Sequence, residues 1–186
     1  MKRIARRKAP GRKIEVWFQD EARVGQVGRT GHVWFERGQR PRGLRDMRHA
    51  AAWIFGAVCP ARDTGVALIL PEASTPAMQL LLDELAAAVS ADAHAILVLD
   101  RAGWHIAKRL IWPPNVTPLH LPAYSPELNG IERVWLYLRE RFLSHRVFAD
   151  TSAIIDACCD AWNALLAECG RVQSLAALPW ASKVNP

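Results

Sequence analysis

The sequence feature that most constrains the fold is the apolar run His94–Leu99, which ends abruptly at Asp100. A continuous apolar run of this length is typical of a strand that is buried on both faces of a parallel sheet. A charge directly after such a run is costly unless it is paired or bound to a metal. The run therefore predicts a sheet covered by helices on both faces, with a candidate functional carboxylate at the end of one strand.

A second strand that ends at an acid is predicted at Ile14–Asp20. Its residues alternate with a period of two, which places Asp20 on the same face as Ile14, Val16 and Phe18. Ligand and metal sites in open α/β sheets gather near strand ends. Asp20 and Asp100 are therefore both placed for chemistry.

The other elements are predicted from periodicity, turn residues and helix caps. We expect strands at His32–Glu36, Ala51–Val58, Gly65–Leu70 and Val116–Leu121, and helices after Ser74, at Trp104–Ile111, after Ser125 and after Asp150. This order indicates an antiparallel hairpin portion that continues into parallel crossovers. It predicts an α/β fold of the ribonuclease H type, a mixed sheet with helices on both faces, over residues 14–186. Residues 1–13 form a basic N-terminal arm before it.

Positive charge is concentrated at the start of the chain. Residues 1–48 carry 14 Lys/Arg and 5 Asp/Glu, whereas residues 49–186 carry 10 and 13. Nineteen of the 24 basic residues are arginine, whose planar fork suits phosphate groups. The pattern favours nucleic acid as a partner, although a solubilising tail would leave the same pattern. The candidate DNA contacts after the arm are Arg23, Arg29, Arg37, Arg40, Arg42 and Arg45.

Composition also excludes several classes of protein. The four cysteines (Cys59, Cys158, Cys159 and Cys169) lack zinc-ligand spacing, and we interpret them as small core residues. No apolar run approaches the roughly 18 residues of a membrane span. The N-terminus lacks the apolar stretch of a secretory signal. We therefore expect a cytoplasmic protein without a membrane partner.

Glu132 is the third candidate carboxylate. It lies four residues after Leu128, on the flank of the apolar stripe that a helix after Ser125 would turn toward the sheet. Asn129, three residues earlier, could orient it by hydrogen bonding, whereas Glu127 would only complement the helix dipole. Three carboxylates repel one another unless divalent cations neutralise them, and Mg²⁺ prefers such oxygen ligands. Each acid alone could instead be a salt bridge or a cap, so the prediction depends on all three together.

The segment 121–132, with the sequence LPAYSPELNGIE, closely resembles the Pro-x-Tyr-Ser-Pro-(Asp/Glu)-Leu-Asn-Pro-Ile-Glu signature of mariner-superfamily transposases. Within that superfamily it is most similar to the bacterial insertion-sequence branch, the DDE superfamily endonucleases. The Asp-Glu-Ala-Arg element at Asp20 and the Asp-Arg-Ala-Gly-Trp-His element at Asp100 resemble the two other blocks of the family. Gly130 stands where proline is commoner.

The resemblance implies a ribonuclease H-like fold and a catalytic, metal-binding triad of Asp20, Asp100 and Glu132 that holds two Mg²⁺ or Mn²⁺ ions. It implies that transposon ends and target DNA are cut and joined by in-line phosphoryl transfer. His105 and Tyr124 are expected to contact the DNA. A homodimer in the active complex and a bacterial, nucleoid-associated location on DNA are also expected.

Full-length relatives carry two helix-turn-helix modules before the catalytic domain, whereas only about 13 residues precede the first predicted strand here. The resemblance therefore implies the catalytic half of a split or truncated transposase, with a separately encoded helix-turn-helix half as a candidate partner. Two alternatives stay open. One is a catalytically silent remnant that binds DNA or a transposase subunit as a regulator. The other is a ribonuclease H-type nuclease that acts on RNA–DNA hybrids.

Overall fold

A five-stranded sheet forms the centre of the computed structural model, which describes residues 2–26, 34–39 and 48–182. The strands are β1 (Lys13–Gly25), β2 (Ala51–Cys59), β3 (Thr64–Leu70), β4 (Ala93–Leu99) and β5 (Val116–His120). Their order is β3-β2-β1-β4-β5. β2 is antiparallel to β1 and β3, whereas β4 is parallel to β1 and β5. The predicted mixed sheet is confirmed.

Helices lie on both faces of this sheet. They are α1 (Lys2–Lys8), α2 (Thr75–Ala88), α3 (Ile131–Leu138), α4 (Thr151–Ala167) and α5 (Arg171–Ala176), with 3₁₀ turns at Pro60–Arg62 and Pro126–Leu128 and a π-helical turn at Arg139–Leu143. Two helices begin at predicted caps: Ser74 Oγ accepts from the Ala77 amide at 3.4 Å, and Asp150 Oδ1 accepts from the Ala153 amide at 2.9 Å. Helices α1 and α5 were not predicted.

The sheet divides the core into two layers. Phe18 of β1 packs with Trp135 and Trp162 on the face covered by α3, α4 and α5. Trp17 of β1 and Leu97 of β4 pack against α2 on the other face. Neighbouring residues of one strand thus serve opposite layers, as the pleat requires. β4 is buried along its whole length, which explains why its sequence is apolar without alternation.

The strand register places the two aspartates next to each other, beyond the last paired residues of the inner strands β1 and β4. Phe18 of β1 pairs with Val98 of β4, and the two strands are parallel. Asp20 and Asp100 therefore each lie two residues beyond a paired residue, on strands that are about 4.8 Å apart. Asp100 directly follows β4, as predicted. The prediction that the first strand ends at Asp20 is wrong, because antiparallel pairing with β2 extends β1 beyond Asp20 to Gly25.

Two predicted elements are wrong. Residues 104–111 form consecutive turns, not a helix. The Asp100 carboxylate accepts from the Ala102 amide at 2.8 Å, and such side chain–backbone bonds compete with helix formation. In the strand predicted at His32–Glu36, residues 34–36 are not in a strand, and residues 32–33 lie outside the described residues. Trp34 is fully exposed.

The helix predicted after Ser125 is divided into two parts. A 3₁₀ turn at Pro126–Leu128 is followed by Asn129 in an extended conformation, and α3 begins only at Ile131. At Gly130, between these parts, an added Cβ would overlap the carbonyl oxygen of Ala176 in α5. The close approach of α5 therefore requires glycine at this position.

The cysteine prediction is half right. Cys59 and Cys158 are buried, whereas Cys159 and Cys169 are exposed. Cys159 follows Cys158 on α4 and is turned away from the core by the rotation of about 100° per helical residue. Among the described residues, no helix is both long enough and apolar enough to cross a membrane.

Candidate active site

Asp20 is held against α3 by the indole of Trp135. The Nε1 atom of Trp135 donates to Asp20 Oδ2 at 3.0 Å. Gly56 of β2 pairs with Asp20 of β1. A Cβ at position 56 would lie 2.6 Å from the Trp135 ring, so glycine leaves the space that the indole needs to reach Asp20. Burial raises the pKa of Asp20 to about 7, with a further contribution from the carboxylates of Glu21 and Glu132. Hydrogen bonds from the Glu21 amide and from Trp135 offset this rise only in part.

Asp100 lies in the turn directly after β4. Its Oδ1 atom accepts from the Ala102 amide at 2.8 Å and lies 2.7 Å from His105 Nδ1. Its backbone carbonyl lies 3.1 Å from Nδ1 of His120 at the end of β5. The side chain is nevertheless 58% exposed, so that an ion or a substrate in solution can reach it.

Glu132 is in the first turn of α3. Partial burial raises the pKa of Glu132; the guanidinium of Arg139 opposes this rise, and the carboxylate of Asp100 reinforces it. Because Glu132 in turn raises the pKa of Asp20, it is within electrostatic reach of both aspartates. The three acids thus interact, although they are distant in sequence.

The three carboxylates line one cleft. Its volume is about 410 Å³, and its other walls come from residues 121–126 together with Arg101, Ala102 and Asn129. Tyr124 is on this wall and is fully exposed. Its φ of 56° lies in the left-handed region that is uncommon for residues with a side chain. Such strained residues cluster at functional sites.

The donor set of the cleft fits a hard divalent cation. It consists of carboxylate oxygens, which Mg²⁺ and Mn²⁺ prefer. A cation would relieve the repulsion that contributes to the raised pKa values of Asp20 and Glu132. In the part of the chain that the structure describes, no three His, Cys, Asp or Glu side chains are close enough together to form a metal-coordination shell. Mg²⁺ usually keeps several waters and binds through one or two carboxylates, so such a shell is not required.

His105 joins Asp100 to a fourth carboxylate, which the sequence analysis missed. Its Nε2 atom lies 2.8 Å from Glu21 Oε1, and Glu21 also accepts from Gln19 Nε2 at 2.7 Å. The side chain of His105 is fully buried and that of Glu21 is 4% exposed. Burial lowers the pKa of His105, but the two carboxylates outweigh it and raise that pKa above its usual value.

In this structure His105 is not placed to contact DNA, although the sequence analysis predicts that it would. Both ring nitrogens face carboxylates inside the protein, and no part of the ring is exposed. The alternation along β1 is the sequence signal that could have found Glu21, because it turns this residue and Gln19 to the face opposite Asp20. Nothing in the sequence joins Glu21 to His105, 84 positions later.

Asn129 does not bond to Glu132 as predicted. Its side-chain amide donates to the carbonyl of Gln19 at 2.9 Å, and its Oδ1 atom lies 3.5 Å from the amide of Ile131. Asn129 is buried between β1 and α3. It therefore fixes the start of the helix that carries Glu132 beside the strand that carries Asp20.

The predicted arginine contacts fall into two groups. Arg23 and Arg37 are exposed. Arg23 is three residues beyond Asp20 on β1 and lines a second cavity beside the cleft. The others lie outside the described residues: Arg29, Arg40, Arg42 and Arg45.

The profile of the family described as "DDE superfamily endonuclease" matches residues 15–155, a span that contains all three carboxylates of the cleft. The chain belongs to the DDE endonuclease superfamily. This superfamily member is 45% identical over 132 residues to the uncharacterized protein y4pE/y4sA of Sinorhizobium fredii (strain NBRC 101917 / NGR234). The alignment covers 71% of the present chain and 98% of that protein.

Solved structures of Mos1 transposase share the fold of this DDE endonuclease superfamily member. The Mos1 paired-end complex with the left transposon end has a TM-score of 0.64 and 18% identity, over 92% of this chain and 53% of the Mos1 chain. The Mos1 mariner paired-end complex with Mn has a TM-score of 0.66 and 16% identity, over 86% and 50%. The predicted ribonuclease H-like fold is confirmed. The present chain spans about half the length of the Mos1 chains that it matches.

Proposed function

We propose that this chain is the catalytic domain of a transposase, which cuts and joins DNA strands by metal-dependent, in-line phosphoryl transfer. The observation that carries the proposal is the single cleft lined by Asp20, Asp100 and Glu132 in a DDE superfamily endonuclease. Burial, together with repulsion from Glu21 and Glu132, raises the pKa of Asp20, so its ionised form costs free energy in the absence of a cation. A fold that keeps this arrangement is suited to bind cations.

The cleft carboxylates would hold two Mg²⁺ or Mn²⁺ ions, with Asp20 and Asp100 as the main ligands and Glu132 on one flank. When bound, the ions activate the attacking hydroxyl and stabilise charge on the leaving oxygen of a phosphodiester. Trp135 orients Asp20, and Asn129 fixes the start of α3, so the ligands are positioned before the substrate arrives.

The reaction has two stages that differ in their nucleophile. Water attacks the scissile phosphorus in strand cleavage, and the bond from phosphorus to the 3′-oxygen of the leaving strand breaks. In strand transfer, that 3′-hydroxyl attacks a phosphorus of the target DNA in line and displaces a new 3′-oxygen. Tyr124 and Arg101 line the cleft and would contact the sugar-phosphate backbone on either side of the reacting phosphate.

The substrates proposed here are transposon ends and target DNA. The solved Mos1 assemblies include a paired-end complex with a transposon end and a strand transfer complex, and they share this fold. We further propose a homodimer as the active complex, with end recognition supplied by a separately encoded helix-turn-helix half. Residues 1–13 would act as a basic arm and residues 14–186 as the catalytic domain, in the cytoplasm and on the nucleoid when bound to DNA.

Nicking of a supercoiled plasmid tests the proposed reaction. We expect relaxed circles to appear with Mg²⁺ or Mn²⁺ and not with a chelator. The variants Asp20→Asn, Asp100→Asn and Glu132→Gln should each lower the rate more than about a hundredfold, which exceeds the usual loss for residues that only support a metal site. Glu127→Gln is the matched control, because Glu127 precedes α3 and does not line the cleft.

The same assay separates the alternatives. Binding of DNA that is unaffected by Mg²⁺, without any nicking, would support the catalytically silent remnant. Faster cleavage of an RNA–DNA hybrid than of duplex DNA of the same sequence would support a ribonuclease H-type nuclease. Equal nicking by the wild type and all three carboxylate variants would overturn the proposed active site.

A further inference from the structure

A second cavity, of about 320 Å³, lies beside the carboxylate cleft. The face of β1 that carries Asp20 continues into this cavity through Ala22, and the face of α3 that carries Glu132 continues into it through Trp135 and Arg139. The hydrogen-bonded pair of Asp20 and Trp135 stands between the two concavities. Two separate elements thus lead from the cleft into the cavity.

The side chains at this cavity give it a strongly basic character. Its charged and titratable lining residues are Arg23, Arg139, His145 and Arg146, and we refer to the cavity as the basic pocket. None of the described residues that line it is acidic. Over the described ranges 2–26, 34–39 and 48–182, its three arginines form no salt bridge. Arg139 acts on Glu132 only through space, without an ion-pair contact. Guanidinium groups that form no salt bridge, arranged around a concavity, favour phosphate as a ligand.

The wall of the basic pocket is held in place by contacts with the rest of the fold. The Arg146 guanidinium lies 5.5 Å from the centroid of the Phe148 ring. The Phe148 carbonyl accepts from the side chains of Gln26 at 3.0 Å and Arg48 at 2.7 Å. The π-helical turn Arg139–Leu143 ends α3 here, and such turns are frequent at functional sites. The pocket is therefore formed before any ligand binds.

We propose that the basic pocket binds a backbone phosphate of the DNA strand whose scissile phosphate lies in the carboxylate cleft. This inference rests on the proposed function and deepens it. Arg139 is seven residues beyond Glu132, which is about 10 Å along a helix at 1.5 Å per residue. A DNA strand rises about 3.4 Å per nucleotide. Neighbouring phosphates of one strand are farther apart than this rise along the axis, so the phosphate in the pocket is at most about three nucleotides from the scissile one.

The first test measures how salt weakens binding to a duplex of arbitrary sequence, by fluorescence anisotropy in the presence of a chelator. The slope of log affinity against log salt is negative, and each lost phosphate contact reduces its magnitude by about 0.9. We expect that decrease for Arg139→Gln and for Arg146→Gln. Arg141→Gln is the matched control, since it removes the same charge from the same π-helical turn but faces Glu168, not the pocket.

The second test measures position. On a fragment with a mapped nick, single methylphosphonate linkages replace one phosphate at a time on either side of the nick, and the nicking rate is measured. We expect the wild type to lose rate at one linkage that is at most about three nucleotides away. The Arg146→Gln variant should show no additional loss at that linkage, because its contact is already absent.

The outcomes separate the pocket from the active site. Unchanged salt slopes in Arg139→Gln and Arg146→Gln, or an equal decrease in Arg141→Gln, would overturn the pocket and leave the carboxylate site standing. A wild type that binds DNA without nicking would contradict the proposed function, while the salt slopes still decide whether the pocket binds DNA. Displacement of the duplex by inorganic phosphate at constant ionic strength, abolished in Arg146→Gln, would identify a free-anion site and overturn the proposed DNA contact.

Discussion

Nδ1 of His105 lies 2.7 Å from Oδ1 of Asp100, and the rest of the imidazole is enclosed by the protein. Glu21 faces the other ring nitrogen, so the imidazole lies between two carboxylates. Asp100, which lines the cleft, is thus connected to the buried carboxylate of Glu21 through an imidazole that is held at both nitrogens. This arrangement resembles the support that ligating groups commonly receive from a second layer of residues.

Replacement of His105 should therefore weaken the cleft without removing a carboxylate. We expect His105→Ala to lower both Mn²⁺ affinity and nicking rate by about 10- to 100-fold. His94→Ala is the control, because His94 is also buried, bonds to Thr117 at 2.8 Å, and lies at the opposite end of β4. Equal losses in both variants would show that His105 only stabilises the fold.

Trp135→Phe should shift the pH dependence of nicking. The indole of Trp135 lowers the pKa of Asp20, so its loss should raise that pKa further above its value of about 7. Since the ionised form of Asp20 binds the cation, the rising limb of the rate profile should move to higher pH. A hydrogen bond to a charged group predicts a shift of about one pH unit at subsaturating Mg²⁺.

Trp162→Phe is the control for this shift. Its ring centroid is 6.1 Å from that of Trp135 in the same core layer, and it does not line the carboxylate cleft. Its profile should keep the wild-type midpoint. A wild-type midpoint in Trp135→Phe as well would show that the indole does not tune Asp20.

Asp20→Asn should stabilise the metal-free protein at high pH while it abolishes nicking. The pKa of Asp20 is raised from 3.8 to about 7 in the fold, so the folded state binds more protons than the unfolded state between these values. The stability of the wild type therefore falls as pH rises through this window. At about 1.4 kcal/mol per pKa unit, the asparagine variant should gain a few kcal/mol at pH 8 and little at pH 4.

Urea denaturation with a chelator measures this difference, and the exposed Asp92→Asn is the control. Asp20→Asn should also lose the stabilisation that added Mn²⁺ gives the wild type. If its free energy of unfolding fell at pH 8 relative to the wild type, the assignment of Asp20 as a carboxylate whose pKa is raised mainly by burial would be wrong.

The fold was predictable to the extent that local pattern decided it. The alternation in β1 and the apolar run of β4 identified the two strands that carry the aspartates, and parallel pairing then brought Asp20 and Asp100 together. The helix caps at Ser74 and Asp150 were also predictable, because each cap bonds to an amide only three residues later. The sequence wrongly predicted a helix at 104–111, because the Asp100 side chain bonds to the Ala102 amide and the chain forms turns there.

The features of the site that the sequence did not predict depend on contacts between residues far apart in the chain. Glu21 contacts His105, 84 positions later, and Asn129 donates to the carbonyl of Gln19, 110 positions earlier. Arg139 lines the basic pocket at the point where a π-helical turn ends α3. Such contacts depend on how elements pack, which no window of sequence contains.

Gly130→Ala should destabilise the protein. An added methyl group would overlap the Ala176 carbonyl and press on Phe18, and overpacking of this kind typically costs about 1–3 kcal/mol. Gly103→Ala is the control, because an added Cβ there meets no atom within 4 Å. Chemical denaturation of both variants checks the expectation, and equal stabilities would contradict the close approach of α5 to the start of α3.

The most direct test of the account is a titration with Mn²⁺, in which electron paramagnetic resonance counts the unbound ion. The wild type should bind Mn²⁺, and Asp20→Asn, Asp100→Asn and Glu132→Gln should each weaken binding by at least about tenfold. Glu127→Gln should bind like the wild type. Identical Mn²⁺ binding in all five proteins, or none in the wild type, would contradict the claim that these three carboxylates form one metal site.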